Sequence, residues 1–84
     1  MSEYDRVIEK LKERLLEKHQ MYGLSYKGKP YFMFLRLQEE TEELRKELMS
    51  GSILALKEGL DVAICGLLIA DIIIDWMDAQ EISP

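Results

Sequence analysis

Between Pro30 and Asp78 the sequence is broken only once, at Ser50-Gly51-Ser52. Gly51 suits the end of a helix and Ser52 the cap of the next. Apolar residues recur at helical spacing on both sides of the break. The chain is therefore constrained to two long helices joined by a tight turn, which makes them antiparallel neighbours. The first should start at Pro30, a residue suited to a first helical position, and run to about Met49. The second should run from Ile53 to about Asp78. Upstream, a helix is expected from about Glu3 to Gln20, capped by Ser2 with Asp5 in the reciprocal position. Its apolar stripe is Tyr4, Val7, Ile8, Leu11 and Leu15, while Glu9, Lys12, Glu13 and Arg14 read as solvated. The segment Tyr22–Lys29, with Gly23 and Gly28, is the one real loop. No strand alternation and no repeat is visible. The expected fold is all-α, one domain over residues 1–84, an antiparallel bundle of about three helices.

A chain of 84 residues buries only a modest core by itself. Yet 48% of its residues are hydrophobic although its net charge is -5. This combination predicts surface reserved for an interface, with oligomerisation completing the bundle as a homodimer or homotetramer. The negative charge argues against a nucleic-acid partner, which would require a basic patch. It leaves room for an anionic small ligand, because a bound metal reverses the local sign. Cys65, the single cysteine, excludes an internal disulfide and reads as a buried small hydrophobe. The charged, helix-forming start predicts no secretory leader. The uncharged run Val62–Ala70 lies between Asp61 and Asp71 and is too short to span a bilayer. A cytoplasmic protein without a membrane partner is the expectation.

Two acidic words carry the chemistry: Glu39-Glu40-Thr41-Glu42-Glu43 and Glu58-Gly59-Leu60-Asp61. At about 100° per residue, Glu39, Glu40, Glu43 and Glu47 share roughly one quadrant of the second helix. Glu42, Arg45 and Lys46 turn elsewhere, where they can form surface pairs. The core stripe is expected to be Phe34, Leu37, Leu44 and Leu48, with Glu40 at its border. Taken alone, such a run is usually a solvated acidic face. The second word is less ordinary. Glu58 and Asp61 share a strip with Leu54, Cys65, Leu68, Ile72 and Trp76. A carboxylate in that setting is costly unless it is paired or holds a metal. An ion pair with Arg36 or Lys57 could compensate in part, but two basic groups do not neutralise four carboxylates. Hard divalent cations such as magnesium prefer oxygen ligands, and carboxylates on facing helices of a bundle can supply them.

The pattern Glu-Glu-x-x-Glu, a spacer, then Glu-x-x-Asp resembles that of the MazG-type all-α nucleoside triphosphate pyrophosphohydrolases. Here it reads Leu37-Gln38-Glu39-Glu40-Thr41-Glu42-Glu43-Leu44 followed by Glu58-Gly59-Leu60-Asp61-Val62, and the likeness extends from about Phe34 to Ile72. The resemblance implies a helical bundle completed by dimerisation. It also implies magnesium-dependent hydrolysis of a nucleoside triphosphate to the monophosphate and pyrophosphate, with manganese as a substitute ion and nucleotide-pool house-cleaning as the role. On this chain it makes Glu40, Glu43, Glu58 and Asp61 the metal ligands. Glu39 would be a further ligand or the base that orients the attacking water.

Lys27, Lys29 and Arg36 are the candidate phosphate contacts; the two lysines read equally well as solvated loop residues, and Arg36 as the partner of a carboxylate. Tyr22 and Tyr26 could stack on a base but more often such residues close a core. His19 reads as a helix-end histidine, and Asp71 and Asp75 as members of a cap or an interface salt bridge. Gly59 and Gly66, with Ala55, Ala63 and Ala70, suggest a close helix crossing, either with the second helix or with the third helix of a second subunit, since glycine inside a helix costs about 1 kcal/mol against alanine. Two other functions compete. One is a phosphoribosyl-ATP pyrophosphatase-like enzyme. The other is a non-catalytic helical module whose acidic faces bind a basic partner, although such a surface would not need Glu58 and Asp61 among apolar neighbours.

Overall fold

The computed structural model describes residues 2–80. They form α1 (Asp5–Tyr22), α2 (Pro30–Ser50) and α3 (Ala55–Ala79), with no strand among the described residues. No helix among them is long and apolar enough to cross a membrane. The expected all-helical, three-helix architecture is what the chain adopts.

The turn between α2 and α3 follows from Gly51. Its φ of 70° and ψ of 23° are left-handed, a conformation in which glycine carries no Cβ penalty. Its N–H donates to the Leu48 carbonyl at 3.1 Å, and the Ser52 N–H reaches back to the Glu47 carbonyl at 3.0 Å. These bonds satisfy carbonyls that the helix end would leave open. Helix α3 starts two residues later than expected and Ser52 is not at its cap position: Ser52 Oγ accepts the Leu54 N–H at 3.0 Å, and Ile53 and Leu54 form a turn before α3. The start of α1 also differs. Ser2 Oγ accepts the Tyr4 N–H at 3.1 Å and no side chain caps the helix, so the reciprocal pair with Asp5 does not form.

Helix α3 is the spine of the molecule. It packs along α2 and more lightly against α1, while α1 and α2 do not pack on each other. The buried or half-buried residues of α2 are Pro30, Met33, Arg36, Leu37, Glu40, Leu44 and Glu47. That stripe is rotated by one residue from the expected one: Phe34 and Leu48 are exposed, and Glu40 lies inside the stripe rather than on its border. The central cluster is Met33, Cys65 and Ile72, with Tyr26, Leu37, Leu68 and Ile69 against it. Tyr26 thus closes the core, and Cys65 is the buried small hydrophobe expected.

Helix α1 holds no fully buried residue. Its half-buried positions are Leu11, Arg14, Leu15 and Lys18, spaced three and four apart on one face. Tyr4, Val7 and Ile8, expected in the stripe, are exposed, and Arg14, expected in solvent, faces α3. The close crossing expected at Gly59 and Gly66 is not made within the chain. A Cβ on Gly66 would meet nothing within 4 Å, and one on Gly59 would only touch Leu44 at 4.0 Å.

Candidate metal centre

Rotation of the α2 stripe sets Glu40 directly against α3, where it is 7% exposed. Glu43 follows one turn later at the margin of the interface and is exposed. Glu58, in the first turn of α3, meets both from the other side. One carboxylate oxygen from each of Glu40, Glu43 and Glu58 can be chosen so that all lie within 4.8 Å of one another. Ligand oxygens around a magnesium ion with bonds of about 2.1 Å are at most about 4.2 Å apart. Small side-chain rotations would bring this trio to that spacing.

The trio is under electrostatic tension. Glu58 Oε2 is buried and has no hydrogen-bond partner. Burial, then the adjacent Glu40 carboxylate and the charge of Asp61, push the Glu58 carboxyl above its ordinary range. An orphaned carboxyl oxygen beside two further carboxylates is an oxygen donor set of the kind a hard divalent cation takes. The residues present therefore fit a cation at this position.

Asp61 is placed differently. It is 4% exposed and lies outside the trio. Arg14 grips it with a two-pronged fork, Nε donating to Oδ1 at 2.7 Å and Nη2 to Oδ2 at 3.2 Å. Lys18 adds a second positive charge, its Nζ 3.8 Å from Oδ2. The Asp61 hydrogen bond raises the Arg14 guanidinium still further above its already high value. Neither Arg14 nor Lys18 stood out in the sequence. The visible signal was their spacing with Leu11 and Leu15, which makes one face, but a charged residue on a helix whose other apolar positions are plentiful gives no reason to prefer that face.

The other sequence candidates divide into near and far. Arg36 spans the carboxylates of its own helix, donating to Glu39 and to Glu40 at 3.2 Å each. Glu39 is exposed and its recorded partner is Arg36. Lys27 sits elsewhere, donating to Asp71 at 2.7 Å and Asp75 at 2.8 Å. Asp71 is ten residues beyond Asp61, about 15 Å along a helix. Lys27, then the Tyr26 hydroxyl that donates at 2.6 Å, hold the Asp71 carboxyl below its ordinary range. These bonds tie the loop to α3 within the chain. Lys29 is exposed and precedes α2. Glu42 behaves as the surface residue expected, paired with Arg45 at 2.7 Å and lowered by it.

Because α1 and α2 do not meet, a cleft of about 790 Å³ opens between them with α3 as its floor. Its apolar and aromatic lining includes Leu15, Tyr22, Tyr26, Phe32, Met33 and Leu68. Glu40 and Asp61 border it, as do the cationic side chains Lys12, Lys18 and Arg36. A mainly apolar cavity with a few convergent charged groups at one side is the usual form of a small-molecule site. Lys27 and Lys29 do not line it.

Comparison with protein-family models, with curated proteins and with solved structures gave no match to this chain.

Proposed function

We propose that the protein is a magnesium-dependent nucleoside triphosphate pyrophosphohydrolase, with manganese as a substitute ion. The observation that carries this reading is the orphaned, buried Glu58 Oε2 facing Glu40 and Glu43 beside a cleft of nucleotide size. The MazG-type spacing of the two acidic words supports it independently. Glu40, Glu43 and Glu58 would hold the ion, with Asp61 as the further ligand named by the motif. Once bound, the ion would neutralise triphosphate charge and raise the acidity of a water.

The chain's own residues account for the remaining requirements. The apolar cleft wall excludes water from one side of the site and offers the Tyr22, Tyr26 and Phe32 rings to a base. Arg36, one turn before Glu40, presents a guanidinium to phosphate oxygens in the forked geometry such groups favour. Glu39, exposed beside Glu40, would accept the proton of the attacking water. Attack at the α-phosphorus breaks the bond to the β-phosphate and yields a monophosphate and pyrophosphate, so no covalent nucleophile is needed.

The assembly in this reading is a homodimer or homotetramer in the cytoplasm. It is supported by the accessible area of 6501 Å², against about 5200 Å² for a folded monomer of this mass. The excess is of the order of one partner's share in a standard interface, about 800 Å² or more. Pyrophosphate release from a nucleotide panel, with and without magnesium, tests the function. Release should need magnesium and be abolished in Glu40→Gln and Glu58→Gln. A wild type that releases none from any nucleotide refutes the reading.

A further inference from the structure

Asp61 is the most deeply buried carboxylate among the described residues, and both its oxygens are taken by one guanidinium. The Arg14 side chain is itself only 16% exposed and Lys18 19%. No Asp61 oxygen lies close enough to join the Glu40, Glu43 and Glu58 group. To reach that group, Asp61 must rotate, and rotation breaks the fork with Arg14.

A buried carboxylate needs a counter-charge. Arg14 supplies one here, and a divalent cation at the neighbouring trio would supply another. We infer that Arg14 and a divalent cation compete for Asp61, so that the Arg14–Asp61 fork is an autoinhibitory contact released when the cation binds. This inference rests on the metal-site reading above.

The contact matters because α1 has little else holding it. It has no fully buried side chain and packs on α3 alone. The half of α1 that carries Arg14 also forms one wall of the cleft, through Lys12, Leu15, Leu16, Lys18 and His19. Cation binding at Asp61 therefore loosens that wall and widens access to the cleft. The converse also holds: docking of α1 weakens the affinity for the cation, because coupling between two sites is reciprocal.

The test is calorimetric titration of the full chain with Mn²⁺ alone, comparing wild type, Arg14→Met and Glu58→Gln. Arg14→Met should bind Mn²⁺ about ten-fold more tightly, the equivalent of one charge-assisted hydrogen-bonded pair. The same variant should melt at a lower temperature in chelator, because α1 has lost its anchor. A purely structural role would weaken both quantities. Where Arg14→Met does not fold, the wild type decides: the Arg14 Nε–H resonance should leave its hydrogen-bonded position as Mg²⁺ is added, and amide exchange in residues 11–19 should speed up. Mn²⁺ binding by Arg14→Met no tighter than wild type, or an Nε–H signal unmoved at saturating Mg²⁺, overturns the inference. If the wild type binds no Mn²⁺ and Glu58→Gln behaves identically, the metal-site reading itself falls and takes this one with it.

Discussion

Glu58→Gln should stabilise the metal-free protein, an unusual direction for a substitution at a half-buried position. The chosen oxygens of Glu40, Glu43 and Glu58 lie within 4.8 Å of one another. At that distance two like charges repel by about 1–3.5 kcal/mol across the effective dielectric range from water to the protein surface. Glu43 is exposed and contributes least, so relief of about 1–2 kcal/mol is expected when Glu58 loses its charge. For a domain of this size each kcal/mol moves the melting temperature by about 4–8 °C. The pH dependence has a definite sign. The Glu58 carboxyl is raised above its ordinary value of 4.5, so the folded chain holds this proton more tightly than the unfolded chain. Below the ordinary value both states are protonated and wild type and variant should melt together. As pH rises through the raised value, the wild type loses stability relative to Glu58→Gln. Circular-dichroism melts in chelator at fixed protein concentration, at pH 4 and pH 7, measure this. Saturating magnesium should reverse the order, because only the wild type keeps the full ligand set. If Glu58→Gln melts at or below the wild type in chelator at pH 7, the carboxylates are not clustered and the electrostatic argument is wrong.

Three further outcomes follow from the same contacts. Ile72, 1% exposed at the centre of the core, should cost about 2–5 kcal/mol when cut to alanine, read from urea denaturation midpoints. Lys27→Met should lower the melting temperature slightly at neutral pH without changing Mg²⁺ affinity. That loss should vanish as pH falls through the lowered Asp71 value, because the stability from Asp71's bond to Lys27 is present above the ordinary carboxylate range and lost on protonation. Light scattering should give a mass that is a multiple of 9.8 kDa, and Ile74→Glu, on an exposed apolar site of α3, should return it to the monomer; a wild type that is monomeric at micromolar concentration refutes the assembly.

The two ends of α2 and the end of α1 were legible because each had a local cause: Pro30, Gly51 and the loop glycines act within a few residues. The carboxylates on facing helices were legible too, since two antiparallel helices with a tight turn bring Glu40, Glu43 and Glu58 within side-chain reach of one another. The phase of each stripe was not. Helix α2 carries apolar residues on more than one face, Phe34 and Leu35 beside Met33 and Leu37, so periodicity permits several rotations one residue apart. The choice between them depends on what α3 offers, and α3 offers Cys65 and Ile72 to Met33. Arg14 was hidden for a related reason. Its role depends on the height at which α1 lies across α3, and the loop from Gly23 to Lys29 does not encode that height locally. It is set by long-range bonds such as Tyr26 to Asp71.

Helix α3 looks contradictory by itself: apolar nearly all round, yet with Leu56, Leu67, Ile73, Ile74 and Trp76 exposed. A helix without a polar face is one that is covered on every side. Within one chain α2 covers one side of α3 and α1 only part of another. Gly59 and Gly66 have no crowded neighbour inside the chain, although glycine in a helix interior costs about 1 kcal/mol each. Both facts have one economical physical account, in which a second copy would lie against the uncovered side of α3 where Gly66 lets the backbones approach. The same contact would explain why the light packing of α1 is tolerated. Stability would reside in the α2–α3 hairpin and its partner, leaving α1 free to be held, or released, through the contacts of Arg14 and Lys18 with Asp61.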